Sequence, residues 1–378
     1  MPFGVYIHFP WCAVHCPYCD FAVSTARPIP QARYAEAVLA ELSLRAPGFE
    51  GGGLVSVYLG GGTPSLWEPD EVGRVLSAVA ARFAARPREV TLEANPESAG
   101  DPGRLRAYRD AGVNRLSIGV QSFDPDVLRK LGRRHGPEQA ERALRAAGEV
   151  FEDVAADLIY GARRSTVESA ARDAARLAAL PVTHVSAYAL TLDPEVMAEE
   201  VPFARMRREG RLPLPDEEEV LAQARAIRAG LRRGGLRRYE ISNFARPGRE
   251  AVHNRLYWEG ESYLGLGAGA VGARLREGEG GRRWSNHRAP ADYLAAVEAG
   301  RAPSAEEEAL DPPALARERL MLGLRLREGV PLSLIPPARR GELGALRARR
   351  LALAGGGRLR LTSRGMDLHS AIAERLLP

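Results

Sequence analysis

Lysine is almost missing from this chain: of its 53 basic residues only Lys130 is lysine, and the rest are arginine. Asparagine and glutamine are scarce, while alanine and 39 glycines abound, a bias of GC-rich coding that also suits a heat-adapted source. No apolar run approaches the roughly 18 residues that a membrane-spanning helix needs; the longest weakly polar stretch, 263–273, is interrupted by glycine. No basic region or cleavage site opens the chain, since Met1-Pro2-Phe3 runs straight into Val5-Tyr6-Ile7, so a cytoplasmic rather than secreted protein is expected. Aromatic residues are few, at 6%, but 45% of residues are hydrophobic and 27% charged, which excludes wholesale disorder. Charge of one sign does not dominate either. The net +5 is small, and arginine clusters at 205–211, 225–238 and 339–350 alternate with acids and apolar residues, as solvated helix faces do. A nucleic-acid surface is not expected.

Cysteine is scarce too, and more informative. There are three, all between positions 12 and 19, which excludes a disulfide framework spread along the chain. Cys12, Cys16 and Cys19 have the spacing C-x3-C-x2-C, and soft thiolates so close together suit zinc or an iron–sulfur cluster. Zinc would want a fourth ligand, for which His8 or His15 stands nearby, but structural zinc sites usually join two separated pairs of ligands. Here there is one segment.

Short apolar, β-branched runs alternate with helical patterns through the first two-thirds of the chain. Strands are expected at 3–8, 54–59, 90–94, 115–120, 154–159 and 182–190, with helices between them and a long one at 216–232. Six βα units imply a parallel sheet with right-handed crossovers, either doubly wound or an incomplete barrel. After about residue 240 the composition changes: a glycine-rich stretch at 263–270 leads through polar loops to Pro312-Pro313. The expected division is therefore a barrel over 1–245, a connecting segment over 246–311 and a small winged-helix-like module over 312–378.

Ligands of such sheets sit at the carboxyl ends of the strands. The first strand ends in the cysteine loop and the second in Gly60-Gly61-Gly62-Thr63-Pro64. The third supplies Glu93 and Asn95, the fourth Gln121 and Ser122, the fifth Asp157 and the sixth Tyr188. Ligand-capable residues thus gather at one end of six separate strands.

The cysteine spacing, with aromatic Tyr18 before the last cysteine, resembles the signature of the radical S-adenosylmethionine (SAM) superfamily. That resemblance implies an incomplete (β/α)6 barrel, a [4Fe–4S] cluster held by Cys12, Cys16 and Cys19, and SAM chelating the open iron. It further implies SAM contacts from Tyr6, Tyr18, Gly61, Gly62, Thr63, Glu93, Gln121, Arg133 and Asp157. Tyr6-Ile7-His8-Phe9-Pro10-Trp11-Cys12, Gly119-Val120-Gln121-Ser122-Phe123 and Asp157-Leu158-Ile159-Tyr160-Gly161 extend the likeness to the coproporphyrinogen III dehydrogenase-like family, over nearly the whole chain. That family contains an oxygen-independent dehydrogenase and a heme chaperone. Phe21 stands where the dehydrogenase carries a fourth cysteine, and Cys12 lies too near the start for the dehydrogenase's N-terminal extension. His253-Asn254-Arg255-Leu256-Tyr257-Trp258 is similar to a motif associated with heme in the chaperone branch. His253 is the expected axial ligand there, with Tyr257 and Trp258 packing on the porphyrin. The expected function is heme delivery to client hemoproteins, respiratory enzymes among them, with a homodimer possible; the alternative is radical decarboxylation of coproporphyrinogen III.

Overall fold

The computed structural model describes residues 1–193, 197 and 200–377. Its first two-thirds follow the expected alternation: β1 (Pro2–Phe9), α1 (Gln31–Arg45), β2 (Gly53–Gly61), α2 (Pro69–Arg82), β3 (Glu89–Ala94), α3 (Pro102–Asp110), β4 (Arg115–Gln121), α4 (Pro125–Lys130), α5 (Pro137–Val150), β5 (Asp153–Tyr160), α6 (Val167–Ala178) and β6 (His184–Ala189). Strands β1 to β6 lie side by side in chain order, and every neighbouring pair is parallel. Helices start where the local chemistry directs. The Asp124 carboxylate accepts from the amides of Asp126 and Val127 at the head of α4, and Thr166 and Ser169 form a capping box at α6. Ser165, just before that cap, turns its hydroxyl to Ala162 O and Gln223 Oε1 instead.

Two further helices, α7 (Pro202–Arg208) and α8 (Glu217–Arg233), precede a short antiparallel pair, β7 (Arg237–Arg238) and β8 (Asn243–Ala245), of which β8 joins β6. Then come α9 (Val252–Glu259), β9 (Ser262–Leu266), β10 (Val271–Arg276), β11 (Gly280–Asn286), α10 (Pro290–Glu298) and β12 (Ser304–Leu310). The stretch expected as polar loops is therefore largely strand. β9 pairs parallel with β1, and β10 to β12 continue antiparallel, giving one 12-stranded sheet. Glycine hides this from a propensity reading but is required by it: a Cβ on Gly265 would lie 2.1 Å from Val271 O, and one on Gly267 (φ +97°) 2.4 Å from His8 O.

Because β1 pairs with β9 and β6 with β8, the six parallel strands do not close on one another; the barrel is incomplete. Alternation sorts their side chains. Val90, Leu92, Leu116, Ile118, Val154, Ala156, Leu158, Val185 and Ala187 face outward into the main core under the helices. The residues between them line a single cavity, which requires the sheet to curl around it.

Residues 312–377 carry α11 (Pro312–Gly323), β13 (Val330–Pro331), α12 (Glu342–Ala348), β14 (Ala352–Gly355), β15 (Arg358–Leu361), α13 (Ser363–Met366) and α14 (His369–Leu376), around a separate apolar core. Gly356 and Gly357, both at positive φ, turn the β14–β15 hairpin. Ion pairs tie this part to the barrel: Asp367 meets Arg228 and Arg238, and Arg325 meets Glu240 at 2.9 Å while lying over Trp258. The Glu240 side chain is wholly buried, and its other oxygen accepts from Ser242 N and Asn243 Nδ2. Arg325→Ala is therefore expected to cost about 3 kcal/mol in denaturant unfolding, because it strands a buried carboxylate without its cation.

Candidate functional site

The cavity enclosed by the curled sheet measures about 510 Å³. Cys12, Cys16 and Cys19 line its mouth, all reduced and partly buried, on the loop after β1. Cys19 N donates to Cys16 O at 3.1 Å, Thr63 Oγ1 to Cys12 Sγ at 3.5 Å and Arg133 Nη1 to Cys16 Sγ at 3.7 Å. Burial raises the Cys12 thiol above its ordinary value and pushes Cys19 up to about 11. Among the described residues no three His, Cys, Asp or Glu side chains converge tightly enough for a single metal ion. The two histidines considered as a fourth zinc ligand are engaged elsewhere. His8 bonds Tyr6 Oη and Ala22 O through its two nitrogens, and His15 Nε2 bonds Cys19 O. Three soft thiolates from one short segment, lining one wall, are the donor set that an iron–sulfur centre takes.

Below the thiols the walls are polar. Glu93 accepts from Tyr58 Oη at 2.6 Å and from Gly61 N at 3.1 Å, yet burial still raises it to about 7. Asp157, on β5, is likewise raised by burial to about 6, although Ser186 and Ser117 bond it. Arg133 donates to Asn95 Oδ1 and Gly119 O, and its Nε has no partner. Gln121 ends β4 at φ +67°, a left-handed backbone that a side chain adopts only under strain, and strain of this kind gathers at functional sites.

Of the residues expected around SAM, Tyr18, Gly61, Gly62, Glu93, Gln121, Arg133 and Asp157 line this cavity with the cysteines. Thr63 opens on an adjoining recess shared with Cys16 and Arg133. Tyr6 is not on the wall: it stacks behind Tyr58, with ring centroids 6.2 Å apart. The glycines answer first to the chain itself. A Cβ at Gly61 would lie 2.5 Å from the His8 ring, and at Gly62 2.8 Å from both Phe9 O and Trp11 O. Ser122 also turns away, donating to Asp173 at 2.6 Å.

The expectation that His253 offers a nitrogen to heme iron does not hold in this arrangement. Its ring is 1% exposed, Nδ1 bonds Ser56 Oγ and Nε2 bonds Tyr257 Oη, both at 2.9 Å, and the ring stacks on Tyr58. Burial lowers it to about 3, so it stays neutral. Tyr257 is held by that bond and by Tyr263, and the Trp258 face is covered by Arg325. Helix α9 instead sends Asn254 into the cavity, alongside Thr91, Arg115, Ser117, His184 and Ser186, none of which the sequence reading singled out. Arg115 and His184 open their strands, where they read as flanking polar residues; only their register on the concave face marks them.

The sign of the acid shifts fixes a prediction. An acid raised in the folded state holds its proton there longer than in the unfolded chain, so its contribution falls as pH rises from about 4.3 through 7. In chemical unfolding at pH 5 and pH 7.5, Glu93→Gln should lose less stability across that interval than the unaltered chain, by up to about 3 kcal/mol. Taking the difference between the two proteins removes the opposing contribution of the buried histidines.

The Radical SAM superfamily pattern matches residues 6–177, which hold the cysteine loop and strands β2 to β5. Over 381 aligned residues the chain is 38% identical to the heme chaperone HemW of Mycobacterium tuberculosis, covering all of this chain and 95% of that one. It is 37% identical to the radical S-adenosyl methionine domain-containing protein 1, mitochondrial, of Bos taurus, over 87% of this chain and 70% of that one. Among solved structures, the coproporphyrinogen III oxidase HemN of Escherichia coli superposes with a TM-score of 0.81 at 24% identity, over 100% and 90% of the two chains, and so shares the fold. Shared fold, matched cysteine segment and full-length kinship agree: the chain belongs to the HemW family of the radical SAM superfamily.

Proposed function

We infer that this chain is a heme chaperone carrying a [4Fe–4S] cluster and SAM, and that it passes heme to client hemoproteins. The observation that carries the reading is full-length kinship with HemW proteins, at 38% identity to the mycobacterial one. Three thiols at one cavity mouth supply cluster ligands, and Phe21, 62% exposed, stands at the cavity mouth where the dehydrogenase has its fourth cysteine. SAM would lie beneath, its ammonium and ribose hydroxyls matched by Glu93 and Asp157 and its carboxylate by Arg133. When bound, cluster and SAM supply one-electron chemistry; the chain's own residues orient and shield them. No helix of the described residues is long and apolar enough to cross a membrane, and we assign a cytoplasmic location, respiratory clients and a homodimer to this same reading.

Anaerobically reconstituted protein given reductant, SAM and coproporphyrinogen III should form no protoporphyrinogen, while it binds heme and transfers it to an apo-hemoprotein; sustained turnover instead makes it a dehydrogenase. His253→Ala should cost about 2–4 kcal/mol of stability, through the lost buried ring and two stranded hydroxyls, and leave the heme titration curve unchanged. A lost heme signal in a folded His253→Ala protein would restore His253 as a ligand.

A further inference from the structure

The deep end of the barrel cavity holds polar groups that the cluster and SAM contacts leave unused. Thr91 on β3, Arg115 on β4 and His184 on β6 are 1%, 3% and 1% exposed, and all three line the cavity. Each has a buried polar atom without a hydrogen-bond partner: Thr91 Oγ1, Arg115 Nη2 and His184 Nδ1. Thr91 and Arg115 are direct partners across neighbouring strands. His184 partners Ala155 on β5, whose single methyl leaves room between Arg115 and His184.

These groups are fixed from behind rather than loosely placed. Arg115 Nη1 donates to Arg249 O at 3.2 Å, and the guanidinium stands 3.7 Å from Glu89 Oε2. Glu89 in turn accepts from the amides of Val252 and His253, pinning the start of α9. His184 Nε2 bonds Tyr239 Oη at 2.9 Å, so a tyrosine proton given to Nε2 leaves the imidazole proton on Nδ1, facing the cavity. Asn254 completes the lining from α9. A buried donor without an acceptor costs about 1–3 kcal/mol. Three at one place, one of them a guanidinium, describe a receptor whose acceptor arrives with a ligand.

We propose that Arg115, His184, Thr91 and Asn254 form a carboxylate-binding subsite at the floor of the barrel, separate from the thiol mouth. A carboxylate fits because its two oxygens can accept from Arg115 Nη2, Thr91 Oγ1, Asn254 Nδ2 and a protonated His184 Nδ1, and the bond to Arg115 is charge-assisted. A neutral amide has one acceptor oxygen and no charge to set against Arg115, so it binds this donor set more weakly. Two sources of this chemistry fit the floor: a free small carboxylic acid, or the propionate arm of a porphyrin. The second rests on the heme reading above.

The probes are sodium propionate and propionamide, in thermal unfolding at matched ionic strength, with the intact chain and its Thr91→Val and Asn254→Leu variants. Propionate should raise the melting temperature saturably and propionamide should not. Both variants should fold, and Thr91→Val, which removes an unpaired hydroxyl, should melt no lower than the parent without ligand. Each variant should weaken propionate by about tenfold, the worth of one charge-assisted bond of about 1.4 kcal/mol. A second arm compares ferric protoporphyrin IX with its dimethyl ester in Soret difference titrations. Tighter binding of the free acid, reduced in both variants, supports the porphyrin arm as the source. Equal binding of acid and ester, with the propionate effect intact, supports a free carboxylate. Propionate binding without any porphyrin binding supports the floor subsite while removing the heme reading. Propionate and propionamide acting alike, or variants that keep the full propionate effect, overturn the subsite.

Discussion

Each strand from β3 to β6 presents an apolar row to the helices and a polar row to the cavity, and the two rows cannot be exchanged. A one-residue slip would drive Glu93, Asp157 and Ser186 into the helix-covered core and bring Leu92, Leu158 and Val185 to the cavity wall. Register is therefore fixed by the outward row, and the inward row is free to vary in chemistry. The cost falls on the inward row. Burial raises Glu93 to about 7 and Asp157 to about 6, and Thr91, Arg115 and His184 keep unpaired polar atoms. A stable fold retains such groups where a ligand completes them.

Helix α9 shows how that cavity is braced. Its His253 closes a buried chain of contacts in which Ser56 and Tyr257 hold the ring, the ring stacks on Tyr58, and Tyr58 donates to Glu93. The histidine, tyrosine and tryptophan of this segment pack on the barrel's back and on Arg325, while Asn254 between them reaches the interior. The same residues that suggest a porphyrin site in a linear reading are, in three dimensions, a support for the Glu93 carboxylate. A lone histidine beside aromatic residues meets either description until its two nitrogens are accounted for.

The six parallel strands were legible because β-branched runs bounded by turns leave little choice, and the cysteine loop because its spacing admits few chemistries. Strand β9 was not, since Gly265 and Gly267 serve close backbone approach and carry no propensity. Nor was β12, an edge strand whose Glu306, Glu307 and Glu308 lie opposite Ser285, Trp284 and Arg283; its acids read as loop. At the site, Glu93, Gln121, Arg133 and Asp157 follow from the strand ends and the resemblance. Arg115 and His184 do not, because depth in a curled sheet depends on cross-strand register that no single segment encodes.

The claim that bears most weight is that three thiols at the barrel mouth hold a cluster whose open iron meets SAM between Glu93, Asp157 and Arg133. Electron paramagnetic resonance of the dithionite-reduced, anaerobically reconstituted chain, recorded with and without SAM, tests it most directly. The account predicts a [4Fe–4S] signal whose g-values shift on addition of SAM, and no shift in the Glu93→Ala protein. Protein that takes up zinc in place of iron and sulfide, or a cluster signal indifferent to SAM, would contradict it.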